Sequence, residues 1–271
     1  FILSKGHNGI LLYTIFCDMG MYDWDLLLDT YNTIGHPFSP HPNRKHVKGI
    51  EVSTGSLGHG LSWVSGIAHA NRNKGIKSRL FCMLGDGEME EGSNWEAILY
   101  AASKKLDNIV AVVDFNHCSA AFETGENMRW GEEGGPEGMA NAFRAFGWNV
   151  IVINGHDFNE IESACKAARE CKGQPTAVIM NTVKGKGVSF MEGKSAWHGA
   201  AIDDSKPVSK PTRIGLFYKP SGAAGTPLTE SGAPVSTDQI PATLLKAAGA
   251  DYAAYGKALD EIGETEQMNR V

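Results

Sequence analysis

The 271-residue, 29.2 kDa sequence has room for one large domain or two small ones. Its 42% hydrophobic and 21% charged residues are ordinary globular usage and exclude a wholly disordered chain. Its 25 basic against 31 acidic residues, net −6, argue against nucleic acid as a partner, though a phosphorylated ligand held by dipoles and a metal remains compatible. Cys17, Cys82, Cys118, Cys165 and Cys171 are scattered without a CxxC pair, so they read as free thiols in a reducing compartment. No apolar run reaches the about 18 residues a membrane span needs, and no signal peptide is visible; a soluble, cytoplasmic protein without a membrane partner is expected. The chain opens on Phe1 rather than Met, so upstream residues are expected to be missing from it.

In chain order, Arg79–Leu84 (RLFCML) is a short apolar run stopped by Gly85-Asp86-Gly87, and it predicts a buried parallel strand. Asn94–Lys105 predicts a helix with Trp95, Ile98, Leu99 and Ala102 on its inner face. Asn108–Asp114 (NIVAVVD) predicts the next strand. A strand at Asn149–Ile153, a helix at Asn159–Cys171 after Asp157, and a strand at Thr176–Thr182 follow. The alternation predicts an α/β fold, a parallel sheet with helices on both faces. Residues 203–250, rich in Pro, Gly, Ser, Ala and Thr, predict an extended arm or insertion after a first domain at 1–202. A short helix near Tyr252–Ile262 is expected within the closing segment, 251–271.

Ligands of such sheets bind beyond the carboxyl ends of the strands, which puts Gly85-Asp86-Gly87 and Asp114-Phe115-Asn116 at the functional rim. Strands lie about 4.8 Å apart, so the Asp86 and Asn116 side chains could meet at one point. A carboxylate plus an amide oxygen, completed by a backbone carbonyl and ligand oxygens, suits a hard cation such as Mg²⁺ or Ca²⁺. Gly85 and Gly87 would let phosphates approach the backbone. Taken singly, Asp86 could equally be a helix cap and Asn116 a turn residue. A P-loop is excluded because Gly187 and Gly193-Lys194-Ser195 have the wrong spacing, and no GxGxxG follows a strand and opens a helix.

Gly85-Asp86-Gly87 followed by Asp114-Phe115-Asn116 resembles the GDG…N motif of thiamine diphosphate enzymes. FILSKGH at 1–7, GHP at 35–37, GIEVSTGSLGHG at 49–60, LGDGEMEEGSNWEA at 84–97, KLDNIVAVVDFN at 105–116, FGWNVIVINGHD at 146–157 and the His198-Gly199 step resemble transketolase, in transketolase order. The resemblance is to the N-terminal, diphosphate-binding domain, as in the small subunit of a split transketolase. It implies thiamine diphosphate and Mg²⁺ as cofactors, with Ca²⁺ or Mn²⁺ as possible substitutes. It further implies that Asp86, Asn116 and the Cys118 carbonyl ligate the metal and that Gly85 and Gly87 lie at the diphosphate. His7 and His198 would contact the diphosphate and the reacting end of the sugar, and His36 an oxygen of the donor. Gly55, Ser56 and Leu57 would line the cofactor cavity; Glu91 and Glu96 would lie at the subunit interface near the cofactor's pyrimidine. The other implied partners are a C-terminal subunit carrying the pyrimidine-binding domain, in an α2β2 assembly, and a sugar or sugar phosphate that donates a two-carbon unit to an aldehyde. The chain alone is expected to be inactive.

Of the other histidines, His41, His46, His69, His117 and His156 read as structural. Glu91 and Glu96 read almost equally well as partners of a helix N-terminus. The sequence departs from the family's pattern in three places: no upstream SGHPG-type segment, His59 where Gln is usual, and Asn116–Thr124 (NHCSAAFET) in place of the commoner loop. The competing readings are a 2-oxoacid dehydrogenase α-subunit or deoxyxylulose-phosphate synthase-like enzyme, and a catalytically silent cofactor-binding partner. SKGH, GHP and STGSLGHG favour transketolase over the first two.

Overall fold

The computed structural model describes residues 1–120, 122–127, 130, 134–199, 216–218 and 229–231. Within it, β1 (Ile2–Leu3), β2 (Leu80–Gly85), β3 (Ile109–Phe115), β4 (Asn149–Asn154) and β5 (Thr176–Asn181) form one sheet in the order β1-β2-β3-β5-β4. Every pairing in it is parallel. The predicted α/β architecture is therefore observed, and each predicted strand lies within a residue or two of its expected place. Because side chains alternate across a strand, Phe81, Met83, Val110, Val112, Val178 and Met180 enter one core, while Cys82, Leu84, Ala111, Val113, Ala177 and Ile179 enter the other.

The first core is closed by α1 (Gly9–Asp18), α2 (Trp24–Thr30) and a helix at Phe158–Glu170. The Asp157 side chain caps the last of these by accepting from the Asn159 and Glu160 amides at 2.8 and 3.3 Å. The second core is closed by α3 (Gly60–Asn73), α4 (Gly92–Ser103) and a helix at Gly135–Ala145. On α4 the expected inner face is partly corrected: Ile98 is buried, but Leu99 is 54% exposed, and Ala97 and Ala101 take the core positions. Small alanines let α4 approach α3 and the sheet closely, which leaves the bulkier Leu99 outside.

Beyond the sheet, Leu216–Tyr218 pairs antiparallel with Thr229–Ser231. The rest of the predicted 203–250 arm and the closing helix lie outside the described residues. No helix among the described residues is long and apolar enough to cross a membrane.

Candidate cofactor site

Strands β2 and β3 are neighbours, and Gly85 stands in register with Asp114. β2 ends there and β3 one residue later, at Phe115, which puts Asp86 and Asn116 at adjacent strand tips, with 1% and 6% of their surface exposed. The Asp86 amide donates to the Asp114 carbonyl at 3.2 Å, joining the tips through the backbone. Asp86 then caps the short turn Gly87–Glu90, one carboxylate oxygen accepting from the Gly87 amide at 3.0 Å. Its other oxygen accepts from the Thr124 hydroxyl at 3.1 Å. Asn116 is oriented at both ends: its amide nitrogen donates to Asp114 at 3.3 Å and its oxygen accepts from the Cys118 amide at 3.0 Å.

Gly87 is where the two tips touch. A Cβ there would fall 3.0 Å from Ser119 Cα and 3.7 Å from the Cys118 carbonyl oxygen, so a side chain would force the loops apart. The backbone oxygen of Cys118 thus lies beside the Asp86-Gly87 turn, as a third oxygen donor next to a carboxylate and an amide. No group of three or more His, Cys, Asp or Glu side chains among the described residues could hold a metal. Any cation here rests on the mixed oxygen set, which is the chemistry of a Mg²⁺-type site completed by ligand phosphates.

The electrostatics fit such a cation. Burial, and then the nearby Asp114 carboxylate, push the Asp86 carboxyl up from 3.8 to about 7, against the opposing pull of Lys5, the Gly87 amide and the Thr124 hydroxyl. A divalent ion would supply the positive charge that keeps Asp86 ionised. Asp114 itself is held by Lys5 Nζ at 2.6 Å in an ion pair whose side chains are 1% and 2% exposed. Thr182, just past the end of β5, donates its hydroxyl to the other Asp114 oxygen.

The imidazoles come from the two ends of the site. His7 lies in the turn Gly6–Asn8 immediately after β1, and His198 ends the turn Ser195–Trp197. Their ring centroids are 5.1 Å apart at 53°. The 54–60 loop reaches the same place: a Cβ on Gly6 would fall 2.6 Å from the Gly55 amide nitrogen, so the two backbones pack directly. Leu57 is held by its carbonyl, 2.9 Å from His59 Nδ1. Ser56 is exposed. His36 is exposed in a loop closed by the Asn32 amide donating to the Phe38 carbonyl at 2.8 Å. Glu91 and Glu96 are exposed at the start of α4, and Leu99 and Tyr100 are exposed further along the same helix. His156 has a structural role, its Nε2 accepting from the Val183 amide at 2.8 Å.

Sequence reasoning missed four buried members of this network: Lys5, Glu88, Thr124 and Thr182. Lys5 and Glu88 sit inside the SKGH and GDGE segments, and charged residues flanking such glycines were the available signal. Thr124 and Thr182 gave none, since each reaches its carboxylate across a long sequence separation.

The family described as "Transketolase, thiamine diphosphate binding domain" matches residues 1–223. The 6-deoxy-6-sulfo-D-fructose transketolase subunit SqwG of Clostridium sp. (strain MSTE9) is 37% identical over 204 residues, covering 75% of this chain and 71% of that protein. Rat transketolase is 38% identical over 203 residues, covering 74% of this chain but 31% of its own length. Among solved structures, the transketolase of Campylobacter jejuni superposes with a TM-score of 0.70 at 26% identity, covering 99% of this chain and 41% of that one. The chain therefore spans most of one relative that is a subunit and less than half of these longer ones.

Proposed function

This chain belongs to the transketolase family through its thiamine diphosphate binding domain, and from that premise we propose that it is the cofactor-holding subunit of a split ketol transferase. The observation that supports this reading is the pair of adjacent strand tips, where Asp86 and Asn116 are buried and each is hydrogen-bonded to Asp114, and where the Cys118 carbonyl lies beside Gly87. Asp86, Asn116 and the Cys118 carbonyl would hold Mg²⁺, with Ca²⁺ or Mn²⁺ able to replace it. Gly85 and Gly87, having no side chains, would let the diphosphate approach the strand tip, His7 and His198 would contact it, and Gly55, Ser56 and Leu57 would line the cavity. Bound thiamine diphosphate supplies a carbon nucleophile and an electron sink for moving a two-carbon unit from a ketose to an aldehyde.

The chain's own residues bind, orient and move protons. Lys5 fixes Asp114, and Asp114 fixes the amide of Asn116, so the oxygen donors are set before any ligand arrives. His7 and His198 can donate N–H bonds to oxyanions and pass protons to and from them. His36, on an exposed loop, would act on an oxygen of the incoming sugar. The Glu91 and Glu96 end of α4 would face another subunit, and a C-terminal polypeptide with the pyrimidine-binding domain would complete the site, in an α2β2 assembly.

Mixing the purified chain with its C-terminal partner, thiamine diphosphate and Mg²⁺ tests this. Ketol transfer from a ketose to an aldehyde is expected from the mixture and from neither chain alone. Turnover only with a 2-oxoacid and an electron acceptor, or cofactor binding without turnover, would contradict it.

A further inference from the structure

Glu88 lies in the turn that follows Asp86, with 3% of its surface exposed. One carboxylate oxygen accepts from the Ser4 hydroxyl and from the Gly58 amide, the latter at 2.9 Å. The other accepts from the Gly85 amide at 3.1 Å. These donors come from three separate segments: the exit of β1 that leads to His7, the 54–60 loop, and the tip of β2. Ser4 extends the link, its hydroxyl oxygen accepting from the Gly60 amide at the start of α3 at 3.1 Å. Glu88 is itself fixed from behind, because the Asn94 side chain of α4 donates to its carbonyl at 2.8 Å and the next residue's carbonyl accepts from Trp95 Nε1 at 2.9 Å.

A carboxylate is a costly group to bury, and a core-filling apolar side chain would avoid that cost. What an apolar side chain could not do is hold three donors at fixed mutual positions. We propose that Glu88 is a positioning residue of the cofactor site, setting the spacing between the His7 turn, the 54–60 loop and the Gly85-Asp86-Gly87 tip, and through it the affinity for thiamine diphosphate. This rests on the reading of the pocket as a thiamine diphosphate site. Glu88 touches none of the groups assigned to the metal, so its effect is indirect.

Glu88→Gln keeps the size of the side chain but turns one acceptor into a donor, setting an NH₂ against the Gly85 amide or against the Ser4 and Gly58 donors. Ser4→Ala removes one of the three links. The experiment titrates thiamine diphosphate with Mg²⁺ into the chain assembled with its partner, by calorimetry, and follows the cofactor's KM and kcat alongside. A third variant, Val110→Ala, perturbs the buried first core at the end of β3 opposite the strand tip and controls for general destabilisation. Glu88→Gln is expected to weaken cofactor binding about tenfold or more, and Ser4→Ala by a smaller factor. The loss should fall in the cofactor's KM more than in kcat, while Val110→Ala lowers the melting temperature without changing affinity. Affinity unchanged in both site variants, or lowered equally by Val110→Ala, overturns the proposal for Glu88 and leaves the site assignment intact. If the wild-type assembly itself binds no thiamine diphosphate, the wider reading fails and Glu88's role with it.

Discussion

The rings of His7 and His198 stand 5.1 Å apart, although one follows the first strand of the sheet and the other closes the last described turn before Gly199. Two imidazoles in contact restrain each other's orientation, so a change at one ring is felt at the other.

His7→Ala and His198→Ala are therefore expected to be non-additive. Each should lower kcat/KM of the assembled enzyme, and the double variant should depart from the summed effects by about 0.5–3 kcal/mol. A double-mutant cycle on ketol transfer measures this. Strict additivity would mean that the two rings work independently.

Lys5→Met should destabilise the chain by about 3–5 kcal/mol, because it leaves the buried Asp114 carboxylate without its ammonium partner. Urea unfolding of wild type and variant reads the difference. A change below about 1 kcal/mol, the range of exposed ion pairs, would contradict the role given to this pair.

How far the sequence alone could reach follows from these residues. The strand tips were legible because apolar runs ending in Gly85-Asp86-Gly87 and Asp114-Phe115-Asn116 report their own ends locally. Lys5–Asp114 and Ser4–Glu88 were not, because hydrophobic periodicity carries nothing about which distant side chains meet. Helix α1 escaped for another reason: Gly9 to Cys17 are buried on every face, so it has no polar side to reveal a helical repeat. The resemblance to transketolase pointed to His7 and His198 for one pocket, and the structure brings their rings together. It gave no hint that Leu99 would lie outside the core.

His156 provides a pH dependence with a definite sign. Burial, and then Lys186, hold its pKa below the ordinary 6.5, and its Nε2 accepts from the Val183 amide at the root of the segment that carries His198. With the folded value below the unfolded one, its contribution to stability is present above 6.5 and lost as pH falls through the lower folded value. Thermal melts across this range should show wild type losing more stability on acidification than His156→Gln. Parallel curves would contradict the assignment.

His36 is exposed on a loop whereas Asp86 and Asn116 are buried, so the role proposed for it on the sugar is separable from cofactor binding. His36→Ala should slow ketol transfer by about 10²–10⁴-fold if it moves a proton, with thiamine diphosphate affinity little changed. Weakened cofactor binding with unimpaired transfer at saturation would reverse the reading.

The most direct test of the account is the metal dependence of thiamine diphosphate binding to the assembled enzyme, measured by calorimetry with and without Mg²⁺ for wild type and Asp86→Ala. Wild type is expected to bind tightly only in the presence of Mg²⁺ and Asp86→Ala not at all; undiminished affinity in Asp86→Ala, or binding indifferent to the metal, would remove the cation from the strand tips.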